Sequence, residues 1–163
     1  MIRIFTLLFF VAAATGSAAQ DDTDIVAAWE ADRTVAFDAA SLNIDDLIWR
    51  ARIVAVFADS PNDPAFQQQI AFLEDKAQDL VERDVIIVTD TDPAARSDLR
   101  TRLRPRGFSM VLIGKDGEVE LRKPSPWDVR EISRSIDKMP MRQQEIADRR
   151  RGCLLYTSPS PRD

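Results

Sequence analysis

Asp59, Asn62 and Asp63 fall within one short segment, Asp59-Ser60-Pro61-Asn62-Asp63-Pro64, between an apolar run and a stretch of helical periodicity. Carboxylates at that spacing could hold a divalent cation or serve as acid and base. Asp90 and Asp92 form a second close pair. Neither pair has the ligand number or glycine turn of a calcium loop, so helix caps and solvated turns account for both. Arg96, Arg100 and Arg104 recur at i, i+4 and i+8, one stripe of a helix, with Arg102 and Arg106 nearby. Such a stripe is either a solvated face paired with acidic groups elsewhere, or an anion-binding patch for a glycan, a phospholipid head group or an acidic partner. Histidine is absent from the 163 residues, which removes the commonest general base, the Ser-His-Asp triad and most zinc sites. With five glycines and no phosphate-cradling motif, nucleotide chemistry has no foothold.

The chain ends bound the domain. Arg3, the apolar stretch Ile4 to Ala14 and the small-residue pattern Ser17-Ala18-Ala19 read as a secretory leader, cleaved to leave Gln20 first. Its apolar run is shorter than the roughly 20 residues that span a bilayer, so no stable membrane span is expected in the mature chain. Residues Cys153 to Asp163 resemble a translated transposase-type sequencing adapter and are set aside. One domain, Gln20 to Gly152, remains, and the chain's single cysteine, Cys153, lies outside it. The domain is expected to be exported, to the periplasm or beyond, and free of disulfides.

The elements that must position these groups follow from periodicity. Arg52 to Ala58 is a continuous apolar run behind one arginine, the pattern of a strand covered on both faces. Asp63 offers an N-cap, Pro64 suits the first helical position, and Phe66, Ile70, Leu73, Ala77 and Leu80 form one apolar stripe. Val85 to Val88 is a second strand, completing a right-handed β-α-β unit. Phe108 to Ile113 and Glu118 to Arg122 are strands joined by Gly114-Lys115-Asp116-Gly117, a hairpin signal. Ser125 is placed to cap a last helix begun by Pro126, with Val129, Ile132, Ile136 and Met139 inward and Pro140 ending or kinking it. Upstream, Thr34 to Asp38 suits an edge strand and Asn43 to Trp49 a short helix.

This order, β-α-β, connecting helix, β-hairpin and helix, is that of a thioredoxin-like α/β fold. A thioredoxin's reactive Cys-x-x-Cys sits where the first core strand enters its helix. Here Asp59 to Pro64 fill that place, and Gly107-Phe108-Ser109-Met110, where the fold's other landmark, a proline just before the hairpin, falls, contains no proline. Both halves of the redox site are missing.

Charge is unevenly distributed. Asp21 to Asp92 carries a net charge of about −12, and Pro93 to Gly152 about +6. Nucleic acid is a poor partner for such a chain, because no aromatic platform interleaves the arginines and the total is negative. Met139-Pro140-Met141-Arg142 forms an apolar knob beside polar groups, suited to closing the core or to an adaptable partner surface.

Arg52-Ile53-Val54-Ala55-Val56-Phe57-Ala58, Phe66-Gln67-Gln68-Gln69, Glu82-Arg83-Asp84, Leu112-Ile113-Gly114-Lys115-Asp116-Gly117 and Ile136-Asp137-Lys138-Met139-Pro140-Met141-Arg142 together resemble the bacterial members of a domain-of-unknown-function family sometimes called P-DUDES. Related domains occur in vertebrate sushi-repeat and other secreted matrix proteins. The resemblance covers Ile48 to Glu145 and implies a thioredoxin-like or peroxiredoxin-like fold without redox cysteines. It implies no reaction, and it points to Arg83 and Arg142 as site residues alongside the Asp59–Asp63 loop.

The expectation is a non-catalytic binding domain for a protein or an anionic ligand, with no cofactor. The rival is an enzyme in which Asp59 or Asp63 meets Arg83 or Arg142 in a pocket. A purely structural envelope module is a third reading.

Overall fold

The computed structural model describes residues 25–156. The expected leader, Gln20, and residues 157–163 of the adapter-like segment lie outside the described residues. The chain runs through α1 (Ile25–Ala31), β1 (Ala36–Asp38), two 3-10 turns, β2 (Arg52–Phe57), α2 (Pro64–Asp75), α3 (Ala77–Val81), β3 (Val85–Asp90), α4 (Asp98–Leu103), β4 (Ser109–Ile113), β5 (Val119–Lys123), α5 (Val129–Asp137) and α6 (Pro140–Tyr156). The five strands form one sheet in the order β1-β3-β2-β4-β5. β1, β3 and β2 are parallel, and β4 and β5 return antiparallel. This is the thioredoxin-like arrangement. Among the described residues no helix is long and apolar enough to cross a membrane.

β2 lies at the centre, and all six of its residues are buried. Ile53, Ala55 and Phe57 face a layer containing Trp29, Leu42, Ile44, Leu47 and Leu99. Val54 and Val56 face the layer of Leu73, Leu80, Val129, Ile132 and Ile136. Apolar residues on both faces explain why the strand shows no polar alternation. The register pairs Arg52 with Val85 and Phe57 with Asp90, and sets Ile113 beside Ile53 and Ser109 beside Phe57. Arg52 and Asp59 therefore mark opposite ends of the sheet, separated along β2 by about 20 Å at the usual rise per strand residue.

The Asp63 cap forms as its residue type dictates, its carboxylate accepting from the Ala65 and Phe66 amides at 2.8 and 3.3 Å. Two expectations are corrected. The stripe from Phe66 to Leu80 is not one helix. Lys76 leaves the helical region (φ −131°, ψ 39°), and α3 turns to pack on α5 and β3, where Leu80 is buried. The last core helix starts at Val129 with Asp128 as its cap, not at Pro126 with Ser125. Buried Gln69 decides this, because its side chain bonds both the amide of Trp127 (2.7 Å) and its carbonyl (3.0 Å) and holds that segment outside the helix. Pro140 both ends α5 and opens α6, whose first turn needs no amide from it.

Asn43 to Trp49 contains a 3-10 turn, Ile44–Leu47, capped by the Asn43 side chain. Trp49 follows it with φ 66°, and its amide donates to the Lys115 carbonyl at 2.6 Å. Thr34 to Asp38 contributes β1, the edge strand, as its pattern predicts.

Candidate functional site

At the Asp59 end the charged groups are committed to structure. β2 and β3 finish side by side, which brings Ala58 and Asp90 within reach of α4. Arg100, 11% exposed, donates to the Asp90 carboxylate at 2.9 Å and to the carbonyls of Ala58 (2.8 Å) and Asp90 (3.0 Å). Ser97 donates to Asp90 while capping α4 at the Arg100 amide. Asp59 is exposed and lies 3.7 Å from Arg100. Asp63 is occupied as a helix cap, and exposed Asn62, just before it, donates its backbone amide to the Ser60 hydroxyl. Asp92, offered as a cation ligand with Asp90, instead accepts from the Ala94 amide. Among the described residues no group of three or more His, Cys, Asp and Glu forms a metal-binding cluster.

The arginine stripe does not form. α4 covers only Asp98–Leu103, and Arg96 (φ 48°) and Arg104 (φ 47°) flank it in left-handed conformations. Both are exposed, whereas Arg100 is half-buried and paired with buried Asp90, so the three guanidinium groups share no face. The i, i+4, i+8 spacing is helical only if the helix runs that far, and here it does not.

The opposite end holds Arg83 and Arg142, together with partners that their spacing does not reveal. Arg83 makes a two-pronged pair with Asp137 at 3.0 and 2.8 Å, and Arg142 lies 3.6 Å from the same carboxylate. Hydrogen bonding from Arg83 holds Asp137 below the usual carboxylate range against opposing burial, with the Arg83 and Arg142 charges adding to it. Glu145 on α6 receives Arg52 (3.0 Å), Lys115 (3.0 Å) and Arg142 (3.2 Å). Burial pushes the Glu145 carboxyl up, but hydrogen bonds from Arg52 and Lys115, aided by the Arg52 charge and Arg142, outweigh it and bring the pKa down to about 2. Arg52 is 1% exposed and also donates to the Arg83 carbonyl. Lys115 bridges on to Asp84, which Arg33 reaches from beyond α1. Arg83 and Arg142 are thus neighbours, but the pocket that would join them to Asp59 or Asp63 does not exist, because the two pairs occupy opposite ends of β2.

Beside this network lies a cleft of about 240 Å³ lined by Arg52, Lys115, Asp116, Glu120 and Met139-Pro140-Met141. Met139 closes the core, at 8% exposure, while Pro140 is exposed and Met141 half-buried. Met139 thus closes the core, as the first of the two expected readings has it. Arg52, Lys115 and Glu145 escape sequence reasoning. The one available signal is an arginine opening an otherwise apolar buried strand, which demands a carboxylate from somewhere.

A zebrafish (Danio rerio) protein, coiled-coil domain-containing protein 80, is 31% identical over 129 residues, covering 61% of this chain. The chain spans 15% of that relative's length. Plasmodium yoelii thioredoxin peroxidase I superposes with TM-score 0.52 at 15% identity, over 74% of this chain and 84% of that one, a likeness of fold alone. A chloroplastic thioredoxin z gives TM-score 0.46 at 21% identity, over 59% and 88% of the two chains. The model of a domain of unknown function, DUF4174, matches residues 43–145, from the cap of the 3-10 turn to the carboxylate that gathers Arg52, Lys115 and Arg142. The chain belongs to the DUF4174 family.

Proposed function

We propose that this chain is an exported, non-catalytic binding module that takes a protein partner and performs no thiol–disulfide chemistry. One observation carries the reading. The end of the sheet where a thioredoxin keeps its thiols holds no cysteine, and Asp63, Asp90, Ser97 and Arg100 there are bonded into caps and a buried ion pair. A catalytic group must be free to bond a reacting atom, and these are not. The anionic-ligand alternative loses its basis with the dispersed arginine stripe, which leaves a protein partner as the favoured occupant. Kinship with the P-DUDES domains of secreted matrix proteins is part of this proposal, as is export by the Met1–Ala19 leader.

Expressed from Met1 in a bacterial host, the chain should be recovered from the envelope fraction with Gln20 as its first residue. Retention of Met1 in the cytoplasm would contradict export. Given dithiothreitol and insulin, the recovered protein should reduce no disulfide faster than buffer. Turnover above that background would restore a redox role.

A further inference from the structure

We propose that Trp49 and the β4–β5 hairpin form the docking surface of this module, and that it takes a protein segment carrying both Lys or Arg and large apolar side chains. The inference rests on the binding-module reading and gives it a place and a partner chemistry.

Among the described residues the exposed large apolar side chains are Val35, Trp49 and Val119; Trp49 lies beside the hairpin turn and Val119 opens β5. Trp49 is 68% exposed. Its left-handed backbone is one that bulky side chains rarely adopt, and the hydrogen bond to the Lys115 carbonyl helps to keep it there. An exposed tryptophan held in an unfavourable conformation contributes little to the core, yet tryptophan is the side chain most suited to anchoring an interface. Hollows lie on both sides of the hairpin. One is the cleft beside Met139 and Met141, and the other, of about 350 Å³, is floored by Ile44, Ile48, Leu103, Ile113 and Val119. Asp116 lines both.

Charge selects the partner. Asp116, Glu118 and Glu120 are exposed, and none has an ion pair among the described residues. The Asp116 and Glu120 carboxylates converge over Gly114, 2.5 and 3.3 Å from where a Cβ would stand. The nearby cations do not offset them. Lys115 is turned to Asp84 and Glu145, and Arg102 lies 3.4 Å from Asp45. At the far end of β5, Arg122 donates to the Leu103 carbonyl and Lys123 lies over the Trp127 ring, and exposed Arg50 stands beside Trp49, so the carboxylates at the hairpin tip keep no ion pair among the described residues. An apolar surface edged by unopposed carboxylates favours a basic, apolar segment. Docking is through side chains rather than by adding a strand. The register shift between Leu112 and Ile113 leaves Glu120 unpaired as a bulge on edge strand β5, a device that discourages strand addition.

A random dodecapeptide library panned against the full chain tests this. Peptides combining Lys or Arg with large apolar residues should be enriched. Their affinity should fall at least ten-fold for Trp49→Gly and for the triple variant Asp116→Asn, Glu118→Gln, Glu120→Gln, with both variants confirmed folded by circular dichroism. Binding should weaken with salt for the native chain and much less for the triple variant. Enriched peptides that lack basic residues, or that bind the native chain and both variants equally, would overturn this surface while leaving the binding-module reading intact. No enrichment at all would overturn both.

Discussion

Where β2 runs out at Ala58, one guanidinium does most of the polar bonding. Arg100 ties together Asp90, the Ala58 carbonyl and the start of α4. At the other end Arg33, Arg52, Arg83, Lys115, Arg142 and Arg149 share the carboxylates of Asp84, Asp137 and Glu145. Both ends are rich in charge, and the comparison shows that pairing rather than charge decides what is available. The first end is consumed in closing the sheet. The second is consumed in fastening α5 and α6 to the sheet, and it leaves the carboxylates of the adjoining hairpin without an ion pair among the described residues.

The largest expected effect is at the second end. Glu145→Ala strands Arg52 at 1% exposure without its carboxylate, and breaking a buried pair in this way costs about 3–5 kcal/mol. Thermal unfolding should register a loss on the order of 10 °C. A change below two degrees would mean that this end fastens nothing. The pH dependence follows the same residue. A carboxyl whose folded pKa is depressed contributes fully above its ordinary value near 4.5, and that contribution is lost as pH falls toward 2. Glu145→Gln should therefore narrow the stability gap between pH 6 and pH 2.5.

A smaller effect is expected between the two ends. Gln69→Leu leaves the Trp127 amide and carbonyl unbonded, at a cost of about 2 kcal/mol in denaturant titration. At the Asp59 end, Asp63→Ala should cost only about 1 kcal/mol, the usual value of an N-cap. A larger loss there would show that the loop does more than start a helix. The smallest effect has the opposite sign. Trp49→Gly relieves a left-handed backbone and should raise stability by up to about 1 kcal/mol, even as it removes docking.

The same contrast separates what the sequence reveals from what it hides. β2, the Asp63–Pro64 helix start and the hairpin are legible because their causes are local: an apolar run, a cap followed by proline, and glycines at turn positions. The break at Lys76 carries no local signal. The choice between Ser125 and Asp128 as cap turns on Gln69, 58 residues from its partner Trp127. Arg52 and Glu145 stand 93 residues apart, and Arg83 and Asp137 stand 54 apart. Arg83 and Arg142 were reachable only through the family resemblance, which supplies positions but not partners. The arginine stripe fails for the converse reason. Its spacing is regular, but left-handed backbone at Arg96 and Arg104 confines α4 to six residues.

Hydrogen exchange of the intact chain, with and without a peptide enriched from the library, shows which end of the sheet takes the partner. New protection is expected only at residues 48–50 and 114–123. Protection centred instead on residues 59–67, or absent everywhere, would contradict it and return attention to the end of the sheet where a thioredoxin keeps its thiols.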